Sequence, residues 1–351
     1  MRNLSWRTWL SIVTFVIIAI VLYTSRHELQ QAWGLLQEVN LWLLLGLLIP
    51  LQFLSYHAMG EVIFSYLRSQ GQGTSISPFK FARLSLEMNF VNHVLPSAGV
   101  SGASYMGWRL KHYGISVSKS TSAQLVRIVA VSGGFAIVLA IAVLSMLLDG
   151  SLNRWVSLLS AALVAAAFIV VAIMIFILER EKTMTKMARG MVKITNGAIR
   201  VLTLGRVPKK ISSAQPLALF FGDIQADYRT IRRKKKLLLK PLLWGVIFSA
   251  ADVAMFYAAF VALGHPVNPA PIAVAFGLAG AASFFMVTPG GAGLYEVVMI
   301  GFLTLAGVDP RVGIAAIVLT RVVLMLGTII AGYYFYQQAI MKHGRKPKSS
   351  V

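Results

Sequence analysis

Six apolar stretches, at about 9–25, 41–67, 120–148, 154–178, 241–263 and 312–337, are each long enough and nearly enough free of charge to cross a bilayer as a helix. Nothing else in the 351 residues constrains the fold as strongly. Hydrocarbon offers no water to backbone N–H and C=O groups, so such runs satisfy them internally, as helices. The expected fold class is all-α, a polytopic membrane protein. Composition agrees: 57% of residues are hydrophobic and 13% charged, against about 25% charged in a soluble domain. The first run follows Arg2 and Arg7 and ends in Thr24-Ser25-Arg26-His27, without a small-x-small cleavage site. An uncleaved first span is expected rather than a signal peptide. The chain has no cysteine, which excludes disulfides, thiolate metal sites and cysteine nucleophiles.

The net charge of +21 lies between the apolar runs, where basic residues mark the cytoplasmic side of a membrane protein. Nucleic acid is therefore not the expected partner, and anionic lipid headgroups are. The N-terminus, the 68–83 turn, the 109–119 link, the 179–240 region and the tail are basic and read as cytoplasmic; 26–40, 149–153, 264–271 and 307–311 are poor in basic residues and read as outside. The 179–240 region, with sixteen Lys or Arg against four Asp or Glu, reads as a basic cytoplasmic loop. Within 183–204, Met184, Met187, Met191, Ile194 and Ala198 recur every three to four residues between cations, the pattern of a helix lying on the membrane surface. Pro208 and Pro216 are expected to interrupt it, and Arg232-Arg233-Lys234-Lys235-Lys236 abuts the next span.

Two motifs interrupt apolar sequence with proline and glycine: Asn89 to Gly102, holding Asn92, His93, Pro96, Ser97, Gly99 and Ser101, and Phe285 to Glu296, holding Thr288, Pro289, Gly290, Gly291 and Gly293. The charge-derived topology closes only if each motif enters and leaves the membrane on one side. At 1.5 Å per residue an arm over 83–95 is about 20 Å long, more than half of a roughly 30 Å hydrocarbon core but not all of it. The expected architecture is six full spans plus two re-entrant hairpins, with eight spans as the alternative. The spacing repeats: Pro96 precedes Gly114, and Pro289 precedes Gly307, by eighteen residues, and Arg127 and Arg321 follow those glycines by thirteen and fourteen. Glu61 and Asp252 lie thirty-five and thirty-seven residues before the prolines. The order acidic span, broken hairpin, arginine-bearing span thus occurs twice, over 41–148 and 241–337, in opposite predicted orientations, which is a transporter architecture. The two copies sit in one transmembrane domain, 1–340, followed by a basic tail, 341–351.

Non-helical backbone within a bilayer must be buried in protein or line a wet cavity. Broken-helix N-termini present N–H groups that suit a phosphate, and Ser97, Ser101 and Thr288 add hydroxyls. The candidate substrate-binding residues are Asn89, Asn92, His93, Pro96, Ser97, Gly99, Ser101, Gly102, Arg127, Thr288, Pro289, Gly290, Gly291, Gly293, Glu296 and Arg321, with Glu61 and Asp252 as candidate proton-coupling carboxylates. A buried arginine also fits a structural ion pair with Glu61, Asp252, Glu87 or Glu296, and glycines also permit close helix packing. No catalytic group is expected. The sequence has no HExxH, cysteine pair or nucleotide loop, so no metal or cofactor is expected either.

At Asn92-x-x-Leu95-Pro96-Ser97-Ala98-Gly99-x-Ser101-Gly102 and Thr288-Pro289-Gly290-Gly291-Ala292-Gly293-x-x-Glu296 the chain resembles the lysylphosphatidylglycerol synthase transmembrane-region family of flippase-like proteins, over about 10–337. In bifunctional members of that family this region moves an aminoacylated phospholipid between leaflets, and a soluble domain after the last span attaches the amino acid. Here about fourteen residues follow the last span, so the resemblance implies the flippase-like half and no enzyme. The expected function is movement of a phospholipid or polyprenyl-phosphate lipid between leaflets of a bacterial-type cytoplasmic (inner) membrane, with both termini cytoplasmic. A second copy of the chain and a lipid-modifying enzyme are the further partners considered. The alternatives are a membrane transferase or its accessory subunit, and a non-transporting scaffold recruited through the basic loop.

Overall fold

The computed structural model describes residues 39–95, 100–148, 150, 154–180, 214–283 and 293–343. The described chain is all-α and multi-pass. The first apolar run, the surface helix expected over 183–204, and Pro96, Ser97, Gly99, Thr288, Pro289, Gly290 and Gly291 lie outside the described residues. The helices are α1 (Leu41–Ser69), α2 (Pro78–Val94), α3 (Val100–Lys111), α4 (Val117–Leu148), α5 (Arg154–Glu179), α6 (Ala214–Arg233), α7 (Leu239–Ala262), α8 (Pro269–Ser283), α9 (Leu294–Leu305) and α10 (Pro310–His343), with a 3-10 turn (Lys235–Leu238) leading into α7. Five of them, α1, α4, α5, α7 (with its 3-10 turn) and α10, are long and apolar enough to cross a membrane.

Local sequence explains the helix ends. The Asn40 side chain accepts the Leu43 N–H at 3.0 Å, filling one of the donors left open at the start of α1. Arg68 lies in the last turn of that helix, where a cation offsets the carbonyl dipoles. Pro78 occupies the first position of α2, where its missing N–H removes no helix bond. The same reasoning corrects the reading of Pro216 as a break. It falls in the first turn of α6, which continues for twenty residues through a region expected to be loop. Phe220, Phe221, Ile224, Tyr228 and Ile231 recur at helical spacing there, and Phe220, Phe221, Ile224 and Tyr228 cluster with Leu178 and Leu125.

The succession of a long helix, a pair of short helices and another long helix occurs as α1, α2–α3, α4 and again as α7, α8–α9, α10. At 1.5 Å per residue the short arms run roughly 18–26 Å, less than a straight crossing of a roughly 30 Å core. The first arm of each pair packs on the long helix that follows the other pair: α2 on α10, and α8 on α4. In the centre α7 runs against both α1 and α4. Its crossing with α4 depends on glycine. A Cβ on Gly134 would overlap the backbone of Gly245, and one on Gly245 would overlap the Ala130 carbonyl. Backbones this close maximise dispersion contact where lipid supplies no hydrophobic drive.

Candidate functional site

A cavity of about 260 Å³ lies among α1, α2, α7, α8, α9 and α10. From α1 it receives Gln52, Ser55 and Tyr56. Their spacing of three and four residues puts them on one helix face, while Phe53 and Leu54 between them are exposed on the other. From α2 come Asn89 and His93, one turn apart. His93 Nδ1 lies 2.9 Å from the Asn89 carbonyl. A carbonyl only accepts, so Nδ1 carries a proton in this contact.

Asp252 enters from α7, and Ser55 Oγ donates to its Oδ1 at 2.6 Å. Among the described residues no cation pairs with Asp252. Arg321 enters from α10, with Thr328 two turns further on. Arg321 Nε donates to Glu296 Oε1 at 2.7 Å, and its guanidinium carbon sits 4.3 Å from the Tyr295 ring centroid, within cation–π range. Glu296 Oε2 accepts the Gly293 N–H at 2.7 Å. One carboxylate thus ties the end of the second break to the arginine. Thr328 donates to the Leu324 carbonyl at 2.7 Å, so the Tyr56 hydroxyl, 2.5 Å from Thr328 Oγ1, is the donor in that contact. Gln52 Nε2 donates to the same Leu324 carbonyl at 3.0 Å. Phe248, Met255, Phe256, Phe276 and Met325 complete the wall. The cavity therefore combines an arginine already neutralised by Glu296, a carboxylate held by one hydroxyl, several neutral hydrogen-bonding groups and an apolar side. That combination suits an amphiphile with a charged head.

Of the residues expected from sequence, Asn89, His93, Asp252 and Arg321 meet in this cavity, with Glu296 directly behind Arg321. Others lie elsewhere. Asn92 and Gly102 hold the first hairpin together: Asn92 Oδ1 accepts the Gly102 N–H at 2.8 Å, and a Cβ at Gly102 would strike that amide. Ser101 Oγ donates to the Val91 carbonyl at 3.4 Å, a second bond between the two arms. Gly102 in the first turn of α3 and Gly293 at the cap before α9 therefore each give an N–H to a side chain of their own hairpin. Arg127 Nε donates to Gln124 Oε1 at 2.8 Å on α4, a helix that contributes nothing to the cavity lining. Glu61 pairs with Arg68 at the far end of α1. Sequence reasoning passed over Gln52, Ser55, Tyr56, Tyr295 and Thr328. The signal for the first three was present, as a polar face within an apolar span.

The first hairpin has its own carboxylate. Glu87, fully buried, accepts from Arg83 Nε at 2.8 Å, Arg109 Nε at 2.8 Å and Tyr105 OH at 2.7 Å. Arg83 also lies over Phe335 of α10, 4.6 Å from the ring centroid, which fixes α2 against that helix.

The chain matches the family described as Lysylphosphatidylglycerol synthase TM region over residues 9–332. It is 25% identical over 240 residues to a UPF0104 membrane protein of Methanothermobacter thermautotrophicus, covering 66% of this chain and 67% of that protein. No solved structure matches it. The match extends from the first apolar run into the second half of α10, and on that basis the chain belongs to the Lysylphosphatidylglycerol synthase TM region family.

Proposed function

We propose that this multi-pass protein moves a phosphate-containing lipid between membrane leaflets, and that the central cavity receives the headgroup. The observation that supports this reading is the meeting of Arg321 and Asp252 with Asn89 and His93 in one space between the two hairpins. In this reading Arg321 exchanges part of its interaction with Glu296 for the lipid phosphate. Gln52, Tyr56 and Thr328 hydrogen-bond the remaining headgroup, and Phe256, Phe276 and Met325 contact the roots of the acyl chains. Asp252 carries the proton that couples movement to a pH gradient. The protein acts as a transporter and not as an enzyme, in the cytoplasmic membrane, with its basic segments and both termini on the cytoplasmic side.

The test is movement of headgroup-labelled phospholipids in proteoliposomes, with and without a pH gradient. Wild-type protein should accelerate movement. Arg321→Gln should slow it about tenfold, as expected for loss of one charge-assisted hydrogen bond to phosphate. Asp252→Asn should remove the response to the gradient. Thermal unfolding of each variant identifies any that fails to fold. Wild-type protein that moves no phosphate-bearing lipid under either condition would sink the reading.

A further inference from the structure

A second cavity, also about 260 Å³, opens between α4, α5, α6 and the 3-10 turn, and shares no lining residue with the first. Its walls are mostly apolar, with Val129 from α4, Val171 and Ile175 from α5, and Ile231 from α6. It opens beside α5, whose Phe168, Ile169, Ile173 and Phe176 are exposed, a surface suited to hydrocarbon.

Two polar atoms interrupt the apolar wall. Ser122 Oγ and Asp227 Oδ2 are buried, and neither has a hydrogen-bond partner among the described residues. Their residues are 3% and 4% exposed, and both line the groove. The other oxygen of Asp227 is engaged by Lys119, so its charge is balanced while Oδ2 is left without a donor. Buried polar atoms left unpaired are costly, which points to an occupant that carries a donor. Cations also line the groove. Arg232 and Lys235 line it, within the run Arg232 to Lys236. Among the described residues the carboxylate partner in this run is Glu179, on Arg232, in an exposed pair. A cluster of this kind beside a membrane helix attracts anionic headgroups.

We infer that this groove is a binding site for one anionic phospholipid with a hydroxyl-bearing headgroup, drawn from the leaflet that faces the basic segment. An acyl chain lies along Val129, Val171 and Ile175. A headgroup hydroxyl donates to Asp227 Oδ2 and meets Ser122, and the phosphate faces Lys235 and Arg232. A soluble anion would leave the apolar wall wet, and a neutral lipid would leave the cation cluster unused. The lipid bridges α4, α5 and α6 away from the central cavity, so it acts as a bound cofactor-like lipid rather than as cargo. This inference does not depend on the transport reading.

The test is photo-cross-linking of the full chain in phosphatidylcholine vesicles containing a trace of phosphatidylglycerol with a diazirine in its acyl chain, with labelled peptides mapped by mass spectrometry. Label should appear on the segments around Val129 and Ile175. Unlabelled phosphatidylglycerol should suppress it, and added phosphatidylcholine should not. Lys235→Gln should lower it about fivefold, as expected for one cation near an anionic headgroup. Val129→Trp and Ile175→Trp, which fill the groove from opposite walls, should each abolish it, and thermal unfolding shows which of them folds. Arg321→Gln should leave it unchanged, which separates this site from the central cavity. Three outcomes would each overturn the site: equal labelling by a phosphatidylcholine probe, full labelling in Lys235→Gln together with the folded tryptophan variant, or a groove holding water alone with no label.

Discussion

The pair between Arg321 and Glu296 offers the sharpest energetic test of how the second hairpin is held. Glu296 is 6% exposed and accepts two bonds, from Arg321 Nε and from the Gly293 N–H, both at 2.7 Å. Removing one partner of a fully buried ion pair costs about 3–5 kcal/mol, because the other charge is left without compensation. Two features reduce that figure here. The Arg321 side chain keeps 22% exposure toward the cavity, and in Glu296→Gln the amide oxygen still accepts one of the two bonds. The expected loss is therefore about 2–3 kcal/mol, the range of a hydrogen bond to a charged group. The assay is equilibrium unfolding in mixed micelles of a mild detergent and dodecyl sulfate, for wild type, Glu296→Gln, Arg321→Gln and the double variant. The double variant should be less destabilised than the sum of the singles by about 1.5–2.5 kcal/mol, since neither charge then remains buried alone. Additivity within about 0.5 kcal/mol would refute the reasoning, because sites that do not interact behave that way.

Three further perturbations probe other parts of the account. Gly245→Val should force α7 away from α4, since even a Cβ there meets the Ala130 carbonyl; thermal unfolding should fall by several degrees, and an unchanged midpoint would contradict the crossing. Asn92→Ala removes the side chain that caps α3 at Gly102 and should cost about 1 kcal/mol in the micelle assay, as other N-cap losses do. Tyr56→Phe deletes the donor to Thr328 and the acceptor of Gln52 Nε2 at 3.3 Å and should cost about 1 kcal/mol, a little above the average of about 0.6 kcal/mol for one hydrogen bond between membrane helices; a loss above about 2 kcal/mol would exceed what these two contacts supply.

Much of the fold was legible because a bilayer permits few solutions. Five of the six apolar runs are α1, α4, α5, α7 and α10, close to their expected limits, and the sixth lies outside the described residues. The short arms on either side of each Pro-Gly motif were also readable, from proline, glycine and arm length. The site was only partly legible. Arg321 and Asp252 stood out as single charges in apolar spans, where a charge is expensive, and both line the cavity. The same signal marked Arg127 and Glu61, which bond to Gln124 and Arg68 along their own helices. Cost alone does not say whether a charge faces a cavity or a neighbour along its own helix. Asn92 poses a related ambiguity: a polar side chain beside a helix break suits a ligand and a helix cap equally well, and here it accepts the Gly102 N–H. Gln52, Ser55 and Tyr56 were overlooked because uncharged polar residues disturb a hydropathy profile little, although their spacing defines a face. The helix α6 was hidden by Pro216, which interrupts a helix in its interior but not in its first turn.

The most direct test of the central claim uses the absence of cysteine from the chain. Met325→Cys places one thiol on the cavity wall, on the same helix as Arg321 and Thr328. Its rate of reaction with a water-soluble maleimide is measured in detergent, with and without a short-chain phospholipid, and against a neutral detergent of the same chain length. The account predicts that the thiol reacts, that the phospholipid slows it, and that the neutral detergent does not. A reaction rate that the phospholipid leaves unchanged would contradict a headgroup site in this cavity.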